Sequence, residues 1–158
     1  MVEPVDDPAY WRARLEKCGG ELHRAVFNGS IDQFSPLQQA HRLGLLRLDP
    51  DHNLLDAGCG YGRLVDLLPD NYRGRYVGVD ISPELITLAR LLHPGKEFAV
   101  ADLRRLPYGD GEFHVAVVCS VRPMVIRNLG LEQWNLMERE IRRVTRLEPI
   151  YLTFGSWD

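Results

Sequence analysis

The stretch LLDAGCGYGRL, residues 54–64, has the residue types and spacing of a ligand-binding loop. Its glycines alternate with larger residues, at Gly58, Gly60 and Gly62. The spacing differs from the dinucleotide fingerprint G-x-G-x-x-G/A, which needs glycine or alanine where this chain has Arg63. Asp56, just before the loop, would repel a phosphate but attract an ammonium group. The pattern therefore predicts a ligand that approaches the backbone closely and carries a positive group but no phosphate.

Two further acids follow hydrophobic runs in the same way. Asp80 ends the second run, eighteen residues after Gly62, where a carboxylate can accept hydrogen bonds from a ribose diol. Asp102 ends the third run and can accept a hydrogen bond from an exocyclic amine such as that of adenine. The alternative is that both acids only cap the helices that follow, although Ser82 is already placed to cap the helix after Asp80.

Hydrophobic runs and helical patterns alternate along the chain from residue 53 onwards. Such alternation predicts an α/β fold with an open parallel sheet, in which ligands bind beyond the carboxyl ends of the strands. Strands are predicted at 53–57, 75–81, 96–102, 112–120 and 149–154. Helices of this part are predicted at 61–68, 82–94 and 131–147.

The first 50 residues have a different pattern. A helix is predicted at 8–18 with Asp7 as its N-cap, and a second helix begins at Ser35 with Pro36 in its first position. We expect residues 1–50 to form a helical cap on the same domain, and residues 51–158 to form its ligand-binding core.

The composition is that of an ordinary globular domain, with 158 residues, 45% hydrophobic and 26% charged. The net charge of −3 argues against a nucleic-acid partner, and the arginines near the C-terminus are interpreted as a solvated helix face. The three cysteines and five histidines lack metal-ligand spacing, so no metal is expected. No membrane span or signal peptide is recognisable, and we expect a cytoplasmic protein.

Taken in order, these segments resemble the class I S-adenosylmethionine-dependent methyltransferases. The resemblance lies in LLDAGCGYGR, YVGVDISPELITLAR, FAVADLRRLPYGDGEFHVAVVCS and EREIRRVTR, and it covers residues 52–154. It implies a Rossmann-like sheet of about five strands in the order 3-2-1-4-5, with S-adenosylmethionine as cofactor and S-adenosylhomocysteine as product. Because family members usually have seven strands, strand five would be a sheet edge. A homodimer and a minimal monomer are the two alternatives.

The resemblance implies that the glycine loop contacts the methionine part of the cofactor. Asp56 would face its ammonium group, directly or through water, and the backbone of Gly58, Cys59 and Gly60 would lie against it. Cys119, at the end of the fourth strand, would offer its backbone carbonyl to the same ammonium group.

The same resemblance assigns the nucleoside part of the cofactor to the second and third strands. Asp80 would hold the ribose hydroxyls, and Ile81 would lie against the adenine ring. Asp102 would accept a hydrogen bond from the adenine amine, while the backbone N–H of Leu103 would donate one to the ring.

Weaker signals mark the acceptor side of the site. Candidates for a lid lie in the N-terminal segment, namely Tyr10, Trp11, Phe27, Asn28 and Phe34. Arg122 and Met124 are candidates for the opposite wall, where the arginine could grip a carboxylate or phosphate of the acceptor. The alternative for the aromatic residues is ordinary packing, and the alternative for Arg122 is an ion pair within the protein.

These observations predict a methyltransferase that acts on a small molecule. The [DNS]-P-P-[YFW] motif of DNA amino-methyltransferases is absent from residues 119–124, and His114 is interpreted as a tolerated replacement of the usual aspartate. No catalytic residue is identified. A non-catalytic protein that binds S-adenosylmethionine or S-adenosylhomocysteine, as a sensor or partner subunit, is therefore the main alternative. A nicotinamide-dependent reductase is a second alternative, which the glycine spacing disfavours.

Overall fold

The computed structural model describes residues 4–19, 40–41, 44 and 46–152. Within these residues, five parallel strands form one sheet in the order β3-β2-β1-β4-β5, which confirms the predicted fold. The strands are β1 Leu54–Ala57, β2 Tyr76–Asp80, β3 Glu97–Val100, β4 Val115–Cys119 and β5 Ile150–Leu152. The helices are α1 Pro8–Lys17, α2 Pro83–Leu92, α3 Val121–Leu129 and α4 Leu131–Val144, with a 3₁₀ helix at Arg63–Leu67.

The central strands are buried on both faces, as expected for parallel strands covered by helices. Alternate residues of β1 point to opposite apolar layers: Leu55 packs in the layer of Ile141 from α4, and Leu54 in the layer of Ile86 from α2. Because all strands run in one direction, their carboxyl ends meet at one edge of the sheet, where Asp80 and Cys119 lie.

Two predicted helix caps are confirmed. The Ser82 hydroxyl accepts a hydrogen bond from the Leu85 N–H at 3.3 Å, and Pro83 takes the first position of α2. The Asp7 carboxylate accepts one from the Ala9 N–H at 2.8 Å at the start of α1. Local sequence signals therefore set where both helices begin.

The helix predicted at 61–68 is shorter and tighter than expected, since only Arg63–Leu67 is helical and its geometry is 3₁₀. Gly62 precedes it with a φ of 87°, a left-handed conformation that interrupts any helix from Tyr61. Leu68 is extended because Pro69 follows it, and this ends the segment.

The sequence analysis predicts no helix between the fourth strand and residue 131, and this is wrong, because the structure has helix α3 there. Val121 and Val125 lie one helical turn apart and are both buried against the core. Ser120 makes the turn from β4 into this helix with a φ of 60°, which residues other than glycine rarely adopt. Tertiary packing thus specifies a helix that short-range signals did not indicate.

Helix α1 packs against α2. Val5, Trp11 and Leu85 form a small buried cluster between them, and Arg12 pairs with Glu84 at 2.6 Å. Most of the helix predicted from Ser35 lies outside the described residues, so the division into cap and core stays a prediction. In the described parts of the chain, no helix is long and apolar enough to cross a membrane.

Candidate functional site

A cavity opens at the carboxyl edge of the sheet, and we call it the sheet-edge cavity. It encloses about 820 Å³, including the space at its open mouth. The ends of four structural units line it: the glycine loop, β2 with Ile81, the residues after β3, and the turn from β4 into α3. Residues Val5, Asp6 and Trp11 of the N-terminal segment complete the wall.

The glycine loop forms one side of the cavity, with Gly58 and Gly60 in its lining. The N–H groups of Gly58 and Cys59 both donate to the carbonyl of Val79 at 2.9 Å, which fastens the loop to β2. Gly58 has a φ of 76°, and a Cβ there would lie 2.4 Å from a methyl group of Val121. The glycine is therefore required by the close approach of α3 as well as by its backbone conformation.

Asp80 lies in the cavity wall at the end of β2. One carboxylate oxygen accepts the Gly60 N–H at 2.9 Å, and the other accepts the Ser82 N–H at 3.0 Å. Burial raises the pKa of Asp80, and the hydrogen bonds from Ser82 and Gly60 oppose this shift. Because Ser82 is the N-cap of α2, the interpretation of Asp80 as a mere helix cap does not fit the geometry.

Asp102 also lines the cavity, but Arg104 grips its carboxylate. The Arg104 backbone N–H and guanidinium donate to both Asp102 oxygens at 2.7–3.0 Å. Burial raises the pKa of Asp102, and the hydrogen bonds from Arg104 outweigh it, so the pKa is below its ordinary value. Arg104 also contacts Asp6 at 3.3 Å and Gln133 at 3.0 Å. This arginine joins the N-terminal segment to the β3 side of the cavity.

Asp56 does not reach the sheet-edge cavity. Its side chain is 2% exposed and accepts a hydrogen bond from the Tyr76 hydroxyl at 2.7 Å. Burial raises the pKa of Asp56 to about 7, against the opposing effects of the Tyr76 hydrogen bond and the charge of Arg63. The carboxyl group therefore lies beneath the glycine loop, and any effect on a ligand is indirect.

The turn after β4 contributes Cys119 and Ser120 to the cavity. Burial raises the pKa of the Cys119 thiol to about 11, so the thiol is protonated at neutral pH. The Ser120 N–H donates to the carbonyl of Leu152 at 2.8 Å, which ties the turn to β5. The left-handed Ser120 is a strained position of the kind that clusters at ligand sites.

Of the residues predicted for the acceptor side, some line the cavity and others do not. Trp11 and Met124 line the cavity, whereas Tyr10 packs edge-on against Trp11 with ring centroids 5.0 Å apart. Arg122 is exposed and lies in a separate surface depression with residues of its own helix. Asn28, with Phe27 and Phe34, lies outside the described residues.

Sequence reasoning missed several cavity residues: Val5, Asp6, Arg63, Leu129 and Met137. Arg63 was interpreted only as a departure from the dinucleotide register, although its position directly after the third glycine was the available signal. The other residues come from segments remote in sequence. Among the residues with described positions, no group of three or more histidines, cysteines or acids is arranged to hold a metal ion.

Comparison with known proteins places the chain in a family. The sequence pattern described as "Methyltransferase domain" matches residues 55–151. The chain is 35% identical over 125 residues to the malonyl-[acyl-carrier protein] O-methyltransferase of Pectobacterium atrosepticum, covering 75% of this chain and 45% of that protein.

Two further relatives carry different acceptors in their names. The 2-methyl-6-phytyl-1,4-hydroquinone methyltransferase of Synechocystis is 37% identical over 75 residues, covering 46% of this chain and 24% of that protein. The tRNA (carboxymethyluridine(34)-5-O)-methyltransferase of Saccharomyces cerevisiae is 31% identical over 87 residues, covering 55% of this chain and 27% of that protein. The chain thus spans less than half the length of each of these three relatives.

Solved structures share the fold. An S-adenosylmethionine-dependent methyltransferase from Methanosarcina mazei matches with a TM-score of 0.55 and 25% identity, covering 66% of this chain and 52% of that one. The [4+2]-cyclase SpnF matches with a TM-score of 0.62 and 25% identity, covering 92% and 58%. Since the domain pattern covers more than half of its length, this chain belongs to the methyltransferase-domain family, whose class I fold implies S-adenosylmethionine as cofactor.

Proposed function

We propose that this chain binds S-adenosylmethionine in the sheet-edge cavity and transfers its methyl group to a small-molecule acceptor. The observation that carries the proposal is the Asp80 carboxylate, which the N–H groups of Gly60 and Ser82 hold at the cavity wall. A carboxylate oxygen accepts more than one hydrogen bond, so both Asp80 oxygens keep capacity for a ribose diol. Held on two sides by the backbone, this group is preorganised for that role.

The β3 side of the cavity suits the adenine ring. Ile81, Leu103 and Leu85 present apolar surface there. Asp102 would accept the adenine amine with the lone-pair capacity that Arg104 leaves, and the Leu103 N–H would donate to the ring. Because β3 is the neighbour of β2 in the sheet, this assignment puts the adenine ring beside the ribose that Asp80 would hold.

The glycine loop suits the methionine part of the cofactor. Gly58 and Gly60 lie in the cavity wall beside Cys119, whose backbone carbonyl would accept the ammonium group. We assign Asp56 a supporting role, because its carboxyl group bonds to Tyr76 beneath the loop rather than to the cavity. Cys59 is 6% exposed and would contribute through its backbone alone.

The bound cofactor would supply a methyl group that is already activated on a sulfonium sulfur. The residues of this chain would then have to orient the acceptor and exclude water. Trp11 and Met124 provide apolar surface in the cavity wall, and residues 1–50 would act as a cap over the core of residues 51–158. The protonated Cys119 thiol has no expected nucleophilic role.

A small molecule suits the cavity better than a nucleic acid. The cavity lining includes the apolar side chains of Trp11, Met124 and Met137. Two of the arginines that would form a basic face are paired with acids, since Arg142 contacts Glu138 and Glu148, and Arg143 contacts Glu140 and Asp110. Ion-paired arginines are poorly placed to contact phosphates. A test of the acceptor class includes tRNA, because one relative is named as a tRNA methyltransferase.

Titration calorimetry with S-adenosylhomocysteine tests cofactor binding. Asp80→Asn should weaken binding by about 10- to 100-fold, or roughly 1.5–3 kcal/mol, the contribution of hydrogen bonds to a charged group. Asp70→Asn makes the same chemical change at an exposed position outside the cavity and should leave the affinity unchanged. Equal affinities of a folded Asp80→Asn variant and the wild type would show that Asp80 does not hold the ribose.

Formation of S-adenosylhomocysteine from S-adenosylmethionine tests catalysis. In a panel of quinols, amines and carboxylic acids, at least one compound should support turnover, and total tRNA should not. Turnover with tRNA but with none of the small molecules would show that the acceptor is a nucleic acid. Tight cofactor binding without turnover on any acceptor would favour the non-catalytic alternative.

A further inference from the structure

A histidine side chain joins the amino ends of the two central strands, β1 and β4. The Asn53 N–H donates to Nδ1 of His114 at 2.9 Å, and the His114 N–H donates to the Asn53 carbonyl at 2.9 Å. These two residues directly precede Leu54 and Val115, which are partners in the register of the strands. The imidazole therefore takes part in the hydrogen bonding with which the β1–β4 pair begins.

Two further segments are bonded to the same pair of residues. The side-chain oxygen of Asn53 accepts the Arg75 N–H at 3.1 Å, just before the start of β2. The carbonyl of His114 accepts the Leu147 N–H at 2.9 Å, in the segment after α4. Loss of the bond between Asn53 and His114 would therefore affect the starts of β1, β2 and β4 together.

This hydrogen bond fixes the protonation state of the ring. A backbone N–H can only donate, so Nδ1 of His114 must carry a lone pair, and the proton of the neutral ring lies on Nε2. A proton on Nδ1 would set two donors against each other and would leave the Asn53 N–H without its acceptor. The folded state thus requires a neutral imidazole, whereas the unfolded chain has no such requirement.

The stacked neighbour of His114 makes a second proton unfavourable. The rings of His52 and His114 are parallel within 1°, with centroids 4.7 Å apart. Asp49 lies 3.8 Å from Nε2 of His52 and supplies a counter-ion for a proton on that ring. With His52 charged, a proton on His114 would place two cations face to face.

Other charged side chains on the neighbouring segments are engaged elsewhere. Their contacts are Asp51 with Arg73, Arg75 with Glu97 and Glu112, Arg142 with Glu148, Arg146 with the Gly111 carbonyl, and Lys96 with the Tyr72 ring. Within the described residues, Asp49 is the acid at ion-pair distance from this pair of rings, and it lies against His52. No acid of the described structure therefore forms an ion pair with a charged His114.

We propose that His114 is a pH-sensitive switch of the stability of the fold. In an unfolded chain an imidazole takes up a proton below about pH 6.5. The folded state must exclude that proton or break the bond to Asn53, so the unfolded state binds more protons in mild acid. The contribution of His114 to stability is therefore fully present above that pH and is lost as the pH falls.

The switch is specific to histidine at this position. Aspartate, the usual residue of related sequences here, and asparagine both carry an oxygen as many bonds from the backbone as Nδ1 of histidine. Either side chain could accept the Asn53 N–H without changing its charge between pH 5.5 and 7.5. The inference does not depend on the proposed function, because His114 lies at the opposite end of the strands from the sheet-edge cavity.

Urea unfolding of the wild type and of His114→Asn at pH 7.5 and pH 5.5 tests the proposal. The folded-to-unfolded ratio of the wild type, divided by that of the variant, should fall about 10-fold between the two pH values. Asp56 is present in both proteins, so its own pH dependence cancels. His41→Asn, at an exposed position, should keep the pH dependence of the wild type. The same pH dependence in His114→Asn and the wild type would overturn the proposal.

Nitrogen NMR of the wild type tests the hydrogen bond directly and decides the question if His114→Asn does not fold. At pH 7.5 the His114 ring should carry its proton on Nε2 and show an unprotonated Nδ1. As the pH is lowered, Nδ1 should stay unprotonated for as long as the signals of the folded protein persist. A protonated Nδ1 in the folded protein would show that the bond to Asn53 does not control stability.

Discussion

The amino edge and the carboxyl edge of the sheet treat their polar side chains differently. At the amino edge, the rings of His52 and His114 stack with centroids 4.7 Å apart, and His114 Nδ1 accepts the Asn53 N–H at 2.9 Å. Arg75 donates to Glu97 and Glu112 at 2.7–2.9 Å and lies over the Phe113 ring. The hydrogen-bonding and charged groups named here are therefore paired with one another.

At the carboxyl edge, important polar groups keep unused capacity. Asp80 bonds to backbone N–H groups that do not neutralise it, and Arg63 has no acid beside it in the described structure. A left-handed serine holds the turn from β4 into α3. The contrast teaches that paired charges at one edge stabilise the fold, whereas incompletely satisfied groups at the other are available to a ligand. Substitutions at the two edges should therefore separate stability from binding.

The largest expected effect on stability is pH-dependent and comes from Asp56. In the folded protein Asp56 keeps its proton up to about pH 7, whereas in the unfolded chain it ionises near its ordinary pKa of about 4. The unfolded state therefore loses the proton first, and the contribution of this carboxyl to stability disappears as the pH rises from about 4 to 7. The unfolding free energy of Asp56→Asn minus that of the wild type should therefore increase by about 2 kcal/mol when the pH is raised from 5 to 7.5.

Urea unfolding of both proteins at the two pH values measures this change. Asp70→Asn, at an exposed position, should show the same pH dependence as the wild type. A difference between Asp56→Asn and wild type that does not vary with pH would mean that Asp56 is ionised in the folded protein.

Arg75→Gln tests the amino edge. It removes the contacts to Glu97 and Glu112 and should lower the unfolding free energy by about 1 kcal/mol, a modest value because the side chain is 39% exposed. Affinity for S-adenosylhomocysteine should not change, since Arg75 lies at the opposite end of the strands from the cavity. A variant of unchanged stability with weakened binding would contradict the division of roles between the two edges.

Ser120→Gly tests the strain at the carboxyl edge. Glycine adopts the left-handed conformation without a Cβ penalty, so the substitution should stabilise the protein by about 0.5 kcal/mol. Ser82→Ala is the matched substitution in a serine that caps a helix, and it should destabilise by about 1 kcal/mol. Thermal unfolding of the two variants should therefore shift in opposite directions, and a lower melting temperature for Ser120→Gly would argue against strain at this turn.

Asp6→Asn should have the smallest effect. It weakens the 3.3 Å contact with Arg104 that ties the N-terminal segment to the cavity wall; a partly exposed ion pair of this kind contributes about 0.3 kcal/mol. Amide hydrogen exchange in α1 should become slightly faster, while Glu16→Gln, an exposed change in the same helix, should have no effect. Unchanged exchange in Asp6→Asn would show that the segment is held by Trp11 and its apolar neighbours alone.

Much of the core was predictable because its signals are local. Ser82 and Pro83 mark the start of α2, and the apolar run of β4 marks a strand that is buried on both faces. The position of Asp80 at a strand end was likewise readable, since strand ends follow directly from hydrophobic runs. Helix α3 was not, because it is stabilised by the burial of Val121 and Val125 against core residues from distant parts of the chain.

The site itself was predicted in part. Residues next to strand ends were found because parallel strands bring their carboxyl ends together, and Asp80, Ile81, Asp102, Leu103 and Cys119 do line the cavity. Asp56 was placed in the site by its position before the glycines, but its side chain points to Tyr76. Arg122 was expected inside and is outside, because a helix rather than a loop determines where it points.

By itself, the sequence determined the parallel sheet, its strand order through the family resemblance, the caps of α1 and α2, and the edge of the sheet at which the cavity opens. The strand ends and the helix caps depend on residues that are close together in the chain. Only the tertiary structure decided the partners of the charged groups: Arg104 with Asp102 and Asp6, Asp56 with Tyr76, and Arg63 with no acid in the described residues. Pairing depends on distances between segments that lie far apart along the chain, and residue type and spacing do not contain that information.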